Sequence, residues 1–220
     1  MANQNPPQFG TRTLEDFKAR LIGGGARPNL FEVEINFPTF ALVGDTPGTG
    51  INDDTRSVSD LTQFMCKAAQ LPASNIAEIP VPFRGRVLKV AGDRTFDPWT
   101  ITVVNDTDFK IRTAFEKWMN GINRVNDNSG VITPSQYQTD CYVRQLGRGV
   151  AGSATGPKLD SNIPVLKTYR FYGVFPTNVS EIEVSYDSSD IIEEFTVTLQ
   201  VQWWDALRNG TSDMGVPQSS

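Results

Sequence analysis

The residue types that carry out most enzymatic chemistry are scarce in this sequence. Its 220 residues include no histidine, which removes the commonest general base, the usual partner of a catalytic serine or cysteine, and the commonest transition-metal ligand. Two cysteines, Cys66 and Cys141, are too few for a zinc site of the Cys/His type. They could form one disulfide, but we favour two buried, reduced thiols because a chain of this length does not need a cross-link.

Carboxylates are the other candidates for chemistry, and they are densest in the stretch YDSSDIIEEF. Its acidic residues are Asp187, Asp190, Glu193 and Glu194. The spacing lacks the sixth-position glycine and the twelfth-position glutamate of an EF-hand loop, so we interpret it as a solvated turn between two strands. A carboxylate pair for glycoside hydrolysis depends on three-dimensional proximity, and nothing in the sequence selects one. Nucleophile elbows, phosphate loops and C-x-x-C pairs are also missing, and we expect no catalytic, metal or cofactor site.

A basic strip is the clearest candidate for binding. Its cations are Arg84, Arg86, Lys89 and Arg94, and the apolar residues Phe83, Val87, Leu88 and Phe96 lie between and beside them. Such a strip could bind single-stranded nucleic acid. However, the formal net charge is −5 and the pI is about 4.8, whereas nucleic-acid surfaces usually carry a basic excess. We therefore favour a strip that meets an acidic neighbour, and a solvated face without a partner remains the alternative.

The composition is that of a folded chain with a sizeable core, since 39% of residues are hydrophobic and 20% are charged. No stretch approaches the roughly 20 apolar residues of a membrane span. The first 20 residues lack the apolar core of a secretory signal, so we expect folding in a cytoplasm. We predict one domain over 1–220, with an extended polar arm at 1–12 and a flexible tail at 206–220.

Periodicity indicates strands around one strong helix. In residues 29–37, Phe31, Val33, Ile35 and Phe37 alternate with Glu32, Glu34 and Asn36, as in a half-buried strand. Further strands are predicted at 76–84, 86–90, 99–104, 136–146, 165–174, 182–185 and 195–204. The helix spans 106–124, capped by Asp106 or Thr107, with one apolar stripe formed by Ile111, Phe115, Trp118, Met119 and Ile122.

The remaining segments have weaker sequence patterns. A short helix begins after Thr13 and places Leu14, Phe17 and Leu21 on one face, whereas 57–70 is either a short helix or an apolar connector. Residues 44–57 and 147–160 are loops by composition. The predicted fold is mainly β: a barrel or sandwich of antiparallel strands with one flanking α-helix. The candidate core anchors are Phe115, Trp118, Phe171 and Phe175.

Three segments, in this order, resemble the tail tube proteins of contractile-tailed phages. They are FKARLIGGGARPNLFEVEINF (17–37), the run from FRGRVLKV to the helix FEKWMNGI (83–122), and YRFYGVFPTNVSEIEVSYDSSDIIEEFTVTLQVQWW (169–204). The last contains Gly173, the Phe175-Pro176-Thr177 triplet and a Tyr-Asp-x-x-Asp turn. The match covers roughly residues 14–204.

The resemblance implies a structural subunit and not an enzyme. Six copies would form a ring, and stacked rings would form the inner tube of a contractile tail, through which DNA passes. The implied partners are further copies of the chain, the sheath outside, the tape measure protein and phage DNA inside, and the baseplate and terminator at the ends. The implied location is the virion, after assembly in the host cytoplasm.

Several alternatives remain at this point. The chain could form the ring that starts or ends a tube, or the inner tube of a non-phage injection system. A β-sandwich enzyme and a nucleic-acid-binding module are more distant hypotheses. We further hypothesise that Glu32 and Glu34 face the lumen and make it electronegative, so that DNA slides through it. They could equally face the sheath or a neighbouring subunit.

Overall fold

The computed structural model describes residues 14–21, 25–42, 51–148, 163–187, 190–208 and 211–212. The strands are β1 (Phe31–Ile35), β2 (Cys66–Gln70), β3 (Ser74–Phe83), β4 (Arg86–Phe96), β5 (Trp99–Val104), β6 (Thr139–Leu146), β7 (Val165–Val179), β8 (Glu194–Gln200), β9 (Trp203–Arg208) and β10 (Thr211–Ser212). The helices are α1 (Leu14–Arg20), α2 (Ile51–Met65), α3 (Lys110–Ile122) and α4 (Pro134–Tyr137), with a short 3-10 helix at Thr39–Ala41. The predicted arm at 1–12 lies outside the described residues.

Most strands form one antiparallel sheet with the order β1-β6-β7-β8-β5-β2, and β9 pairs with β7 and β10. β2 comes back close to β1, so the sheet curls into a partly closed barrel. Among the strands that the structure describes, β3 and β4 pair only with each other, and they form a separate two-stranded hairpin, residues 74–96. The predicted mainly-β, antiparallel architecture is therefore confirmed.

The bend of the long strand β7 shapes the barrel. Gly173 has a φ of +60°, a conformation that residues with a side chain rarely adopt. A Cβ at this position would lie 2.7 Å from Cγ of Gln202. β8 and β9 follow one another along the same edge of β7 and are interrupted opposite this bend, where the Gln202 N–H donates to the Tyr172 carbonyl at 3.1 Å. The predicted single strand at 195–204 is for this reason two strands.

Aromatic side chains fill the barrel and hold α3 against it. Trp99 on β5 stacks on Phe171 on β7, with ring centroids 4.6 Å apart. Phe115 and Trp118 on α3 meet Phe37 edge-on at 5.0 and 5.7 Å. The structure buries three of the candidate anchors completely, Phe115, Trp118 and Phe171. The fourth, Phe175, is partly buried and meets Tyr137 edge-on at 5.7 Å.

Helix α3 begins later than the sequence predicts. Residues 106–109 form a turn instead, in which the Asp106 carboxylate accepts a hydrogen bond from the Asp108 N–H at 2.7 Å. The residue before the helix is Phe109, with a φ of +55°, and it makes no side-chain cap. The predicted capping role of Asp106 or Thr107 is therefore wrong, because the Asp106 side chain is used in the turn.

Four other local predictions were wrong. The loop at 44–57 ends earlier than expected, since α2 begins at Ile51 and packs on β1, and the Ser59 hydroxyl donates to the Ile35 carbonyl at 2.8 Å. The strand predicted at 86–90 is longer than expected, since β4 continues to Phe96. Residues 134–137 form α4, so β6 begins only at Thr139. Residues 181–185 form no strand.

The C-terminal strand extends further than predicted, and the two cysteines are reduced. Residues 206–208 belong to β9, inside the range predicted as a flexible tail, because Ala206 and Leu207 pair with β7 and Arg208 pairs with β10. Cys66 and Cys141 are both buried and free of any disulfide. Within the described ranges, no helix combines the length and apolar character that crossing a bilayer requires.

Candidate functional site

A charged face covers the outside of β1, β6, β7 and β9. On β1, Val33 and Ile35 point into the core, so Glu32 and Glu34 point outward. Arg144 lies opposite Glu32 on β6 and donates to the Glu34 carboxylate. Its guanidinium also lies 3.7 Å from Glu32. One arginine therefore serves two glutamates of the neighbouring strand.

The charged face continues across β7 to β9. Arg170 lies opposite Tyr142 on one side and Asp205 on the other. Its guanidinium donates to the Asp140 carboxylate at 2.7 Å, which raises the pKa of Arg170. Beside it, Tyr172 stacks on Trp203 at 3.7 Å. The face thus joins cross-strand ion pairs to flat aromatic contacts.

Carboxylates outnumber cations on the charged face. Four carboxylates, at Glu32, Glu34, Asp140 and Asp205, stand against the guanidinium groups of Arg144 and Arg170. Burial raises the pKa of Glu32 above its ordinary value, and the neighbouring Arg144 only partly offsets this. Among the described residues, one Glu32 oxygen has no hydrogen-bond partner. Keeping this excess of negative charge in the folded state is therefore electrostatically unfavourable.

The hairpin is the second notable surface. Its pairing register places Ile79, Val81 and Phe83 of β3 beside Val90 and Leu88 of β4 on one face, and these five side chains are 43–67% exposed. Glu78 and Lys89 lie on the opposite face and form an ion pair at 2.7 Å. Fully burying one such side chain is worth about 1.5–3 kcal/mol. The hairpin thus exposes a contiguous apolar surface to solvent.

The hairpin is joined to the barrel at its base. Phe96 packs edge-on against Trp204 at 6.2 Å, and Asn75 donates to Asp97 at 3.0 Å. At its tip, Arg84 and Gly85 have φ values of +45° and +80° and make a tight two-residue turn. An isolated two-stranded hairpin is at best marginally stable in water. A partner that covers the apolar face would stabilise it.

Two further elements expose apolar side chains. Helix α1 buries none of its residues, and Leu14, Phe17 and Leu21 are exposed on one side of it. Residues 181–193 connect β7 to β8 and expose four large apolar side chains by at least 69%, namely Val184, Tyr186, Ile191 and Ile192. We call residues 181–193 the acidic segment, and 188–189 lie outside the described residues. It carries five carboxylates and no lysine or arginine.

The groups that could carry out chemistry are not brought together. Among the described residues, no three histidine, cysteine or acidic side chains are grouped as a metal site. Burial raises the pKa of both Cys66 and Cys141 to about 12, which leaves almost no thiolate at neutral pH. An open groove of about 470 Å³ lies at the end of α3 beside Phe40, Gly121 and Arg124. The notable features of the described residues are therefore the exposed surfaces of the charged face, the hairpin and the acidic segment.

Comparison with known proteins identifies the family of this chain. The sequence model of a family described as phage tail tube protein matches residues 26–206. The chain belongs to the phage tail tube protein family. The tail tube protein gp19 of Enterobacteria phage T4 is 34% identical over 184 residues, which cover 83% of this chain and 93% of the relative. The tail tube protein of Serratia phage KSP90 is 27% identical over 190 residues, which cover 86% and 93%.

Two solved structures share the fold of this tail tube chain. The tube-terminating cap of the anti-feeding prophage aligns with a TM-score of 0.51 at 16% identity, covering 84% of this chain and 91% of the other. The sheath/tube terminator of the PVC extracellular contractile injection system aligns with a TM-score of 0.52 at 13% identity, covering 83% and 96%. The chain is thus a tail tube protein, a structural virion component with the fold of these cap and terminator proteins.

Sequence reasoning found some elements of these surfaces and missed others. It identified Glu32 and Glu34 as outward-pointing, and the structure places both on the charged face. It did not bring Asp140, Arg144, Arg170 and Asp205 to the same face, because cross-strand neighbours depend on register. The basic strip was recognised, but the exposure of its apolar neighbours was not, since alternation alone predicts a half-buried strand.

Proposed function

We propose that this tail tube protein is the repeating subunit of the inner tube of a contractile phage tail. In this proposal, six copies close into a ring and the rings stack into a tube that conducts DNA. The sheath surrounds the tube, the tape measure protein and then DNA occupy it, and the baseplate and terminator bind its ends. Assembly takes place in the host cytoplasm, and the role is structural and not enzymatic.

The exposed hairpin is the observation that carries the proposal. A subunit that worked alone would leave five large apolar side chains in water on a marginally stable element. The open edges of the sheet add to this, since β1 pairs only with β6 and β2 only with β5 among the described residues. Ring closure and stacking would cover such edges and faces, as in other assemblies with heterologous contacts.

Electron microscopy of the purified protein tests the proposal. We expect negative-stain images to contain six-fold rings and tubes with a continuous channel, and sedimentation to give hexamers and larger species. Rings that never stack would instead indicate a protein of the tube end. Monomers under all conditions, including high protein concentration, would contradict a tube subunit.

We also propose that the charged face, including Glu32 and Glu34, lines the channel. Its excess of carboxylates supports this, since a weakly repelling wall would let DNA slide whereas a basic wall would bind it. Because Arg144 is shared by both glutamates, the negative potential would be moderate. A cryo-EM structure of the tube is the test. A predominantly positive lumen would refute the sliding argument, and a negative lumen without Glu32 and Glu34 would refute only their assignment.

A further inference from the structure

The hairpin and the acidic segment lie at opposite ends of the same strands. Strand β5 runs from Trp99, next to the hairpin, to Val104, which pairs with Glu194 at the end of the acidic segment. The Asn105 N–H then donates to the Glu193 carbonyl at 2.8 Å. Six strand residues separate the two ends by about 17 Å. Within one copy the two elements are therefore held apart by the body of the barrel.

The two elements are complementary in charge. The hairpin carries four cations against the carboxylates of Glu78 and Asp93, and Glu78 is already paired with Lys89. Its tip contributes Arg84 in the turn and Arg86 on the apolar face, opposite Phe83. The acidic segment carries Glu181, Glu183, Asp187, Asp190 and Glu193 without a cation. Of these five, the Glu193 carboxylate accepts a hydrogen bond from Asn105.

The hairpin and the acidic segment also both present apolar side chains. Each element exposes large apolar side chains that the described part of its own subunit leaves uncovered, five on the hairpin face and four on the acidic segment. An apolar contact surrounded by opposite charges is the usual composition of a specific protein interface. The hairpin strands have ten and eleven residues, or about 33–36 Å of extended chain, and they form a sheet separate from that of the barrel.

We propose that the apolar face of the hairpin docks on the acidic segment of a second copy of this chain, head to tail. The inference rests on the proposed tube and names the contact between its successive rings. Because the two surfaces lie at opposite ends of each subunit, every copy offers one of each. Such a heterologous contact repeats without closing and therefore builds a fibre along the strand direction.

Charge reversal with rescue tests the contact. The first variant reverses the hairpin tip, Arg84→Glu with Arg86→Glu, and the second reverses the acidic segment, Glu181→Lys with Glu183→Lys. Each alone should still form rings but should raise the critical concentration for tubes at least about tenfold at low salt, since like charges then meet. The effect should shrink at high salt. A control for the first variant, Arg27→Glu with Arg124→Glu, makes the same charge change outside the hairpin and the acidic segment and should form tubes like the original protein.

Two combinations of these substitutions should restore tubes if the contact is correct. An equimolar mixture of the two variants can alternate rings, so that each acidic hairpin meets a basic segment and each basic hairpin an acidic one. A chain that carries all four substitutions has an acidic hairpin and a basic segment, so opposite charges meet again between copies. If this chain forms tubes, nucleic acid bound to a basic hairpin cannot be the cause, because its hairpin is acidic. Circular dichroism of each variant establishes that the subunit is folded before sedimentation and electron microscopy are compared.

The outcomes separate this inference from the proposed function. Tubes formed equally well by each reversed variant, or variants that no partner rescues, would overturn the hairpin–segment contact while the tube function stands. Loss of tubes in the control variant would overturn it as well, because the effect would then be one of total charge. An original protein that forms neither rings nor tubes would instead overturn the proposed function.

Discussion

The barrel and the hairpin are built from similar alternating sequences but are stabilised differently. In the barrel, β5 alternates completely buried Trp99, Ile101 and Val103 with half-buried residues, and the core lies within one subunit. In the hairpin, Ile79 and Val81 alternate with prolines in the same way and yet remain exposed. The difference indicates that the apolar pattern of a strand predicts a covered face, but not which molecule covers it.

Aromatic truncation in the barrel should have the largest effect. Trp118→Ala removes a fully buried side chain whose indole N–H donates to the Tyr137 carbonyl at 2.8 Å. We expect a loss of about 3–5 kcal/mol in the free energy of unfolding of the dissociated subunit. Denaturant unfolding measures it. Trp203→Ala, at an exposed tryptophan that stacks on Tyr172, is the control and should lose about 0.5–1.5 kcal/mol; equal losses would mean that α3 does not anchor the core.

A matched pair of valine substitutions compares the two regions directly. Val103→Thr places a hydroxyl in the closed core and should destabilise the dissociated subunit by about 1–3 kcal/mol. Val81→Thr makes the same change on the exposed hairpin face and should shift stability by less than about 0.5 kcal/mol. Thermal or denaturant unfolding of both variants provides the values. A large loss for Val81→Thr would show that the hairpin is already covered within the subunit.

The charged face should respond to pH in a defined direction. Burial raises the pKa of Glu32 in the folded state, so ionised Glu32 lowers stability above its unfolded pKa and the penalty disappears as pH falls below it. Glu32→Gln should therefore stabilise the subunit near pH 7, and the gain should vanish towards pH 4. Unfolding of both proteins across this range tests the sign.

An exposed carboxylate provides the control for this pH series. Glu116→Gln breaks an exposed ion pair with Arg112 and should lose about 0.3–0.5 kcal/mol at pH 7. A Glu32→Gln variant that is less stable than the original at pH 7, with no change towards pH 4, would contradict the burial of its charge.

The smallest expected change is in the labelling of the two native cysteines, which a thiol reagent should not modify. Cys66 and Cys141 are buried and their pKa is about 12, so a thiol reagent at pH 8 should leave both unmodified in the native subunit. A cysteine introduced by Val81→Cys should react at least about a hundredfold faster and become protected on assembly. Mass spectrometry after timed labelling measures both rates. Fast modification of the original protein would mean that the barrel opens readily.

Local patterns were sufficient for several elements. The alternation of 29–37 predicted β1 and the orientation of Glu32 and Glu34. The apolar stripe of α3 correctly predicted that Ile111, Phe115 and Trp118 are buried, but it missed buried Ala114 and included Met119, which is only half-buried. The predicted basic strip coincides with the hairpin. Boundaries failed where a side chain was used for another contact, as at Asp106, and where a strand continues past its predicted end, as β4 does beyond Val90.

The sequence alone determined the fold class, the absence of histidine chemistry and the resemblance to tail tube proteins, because residue types, periodicity and motif order are local properties of the chain. Only the tertiary structure decided that Arg144 serves both Glu32 and Glu34, and that the hairpin and the acidic segment lie at opposite ends of β5. These relations depend on strand register and strand order, which join residues far apart in sequence, and a register shift of one residue would turn every side chain to the other face.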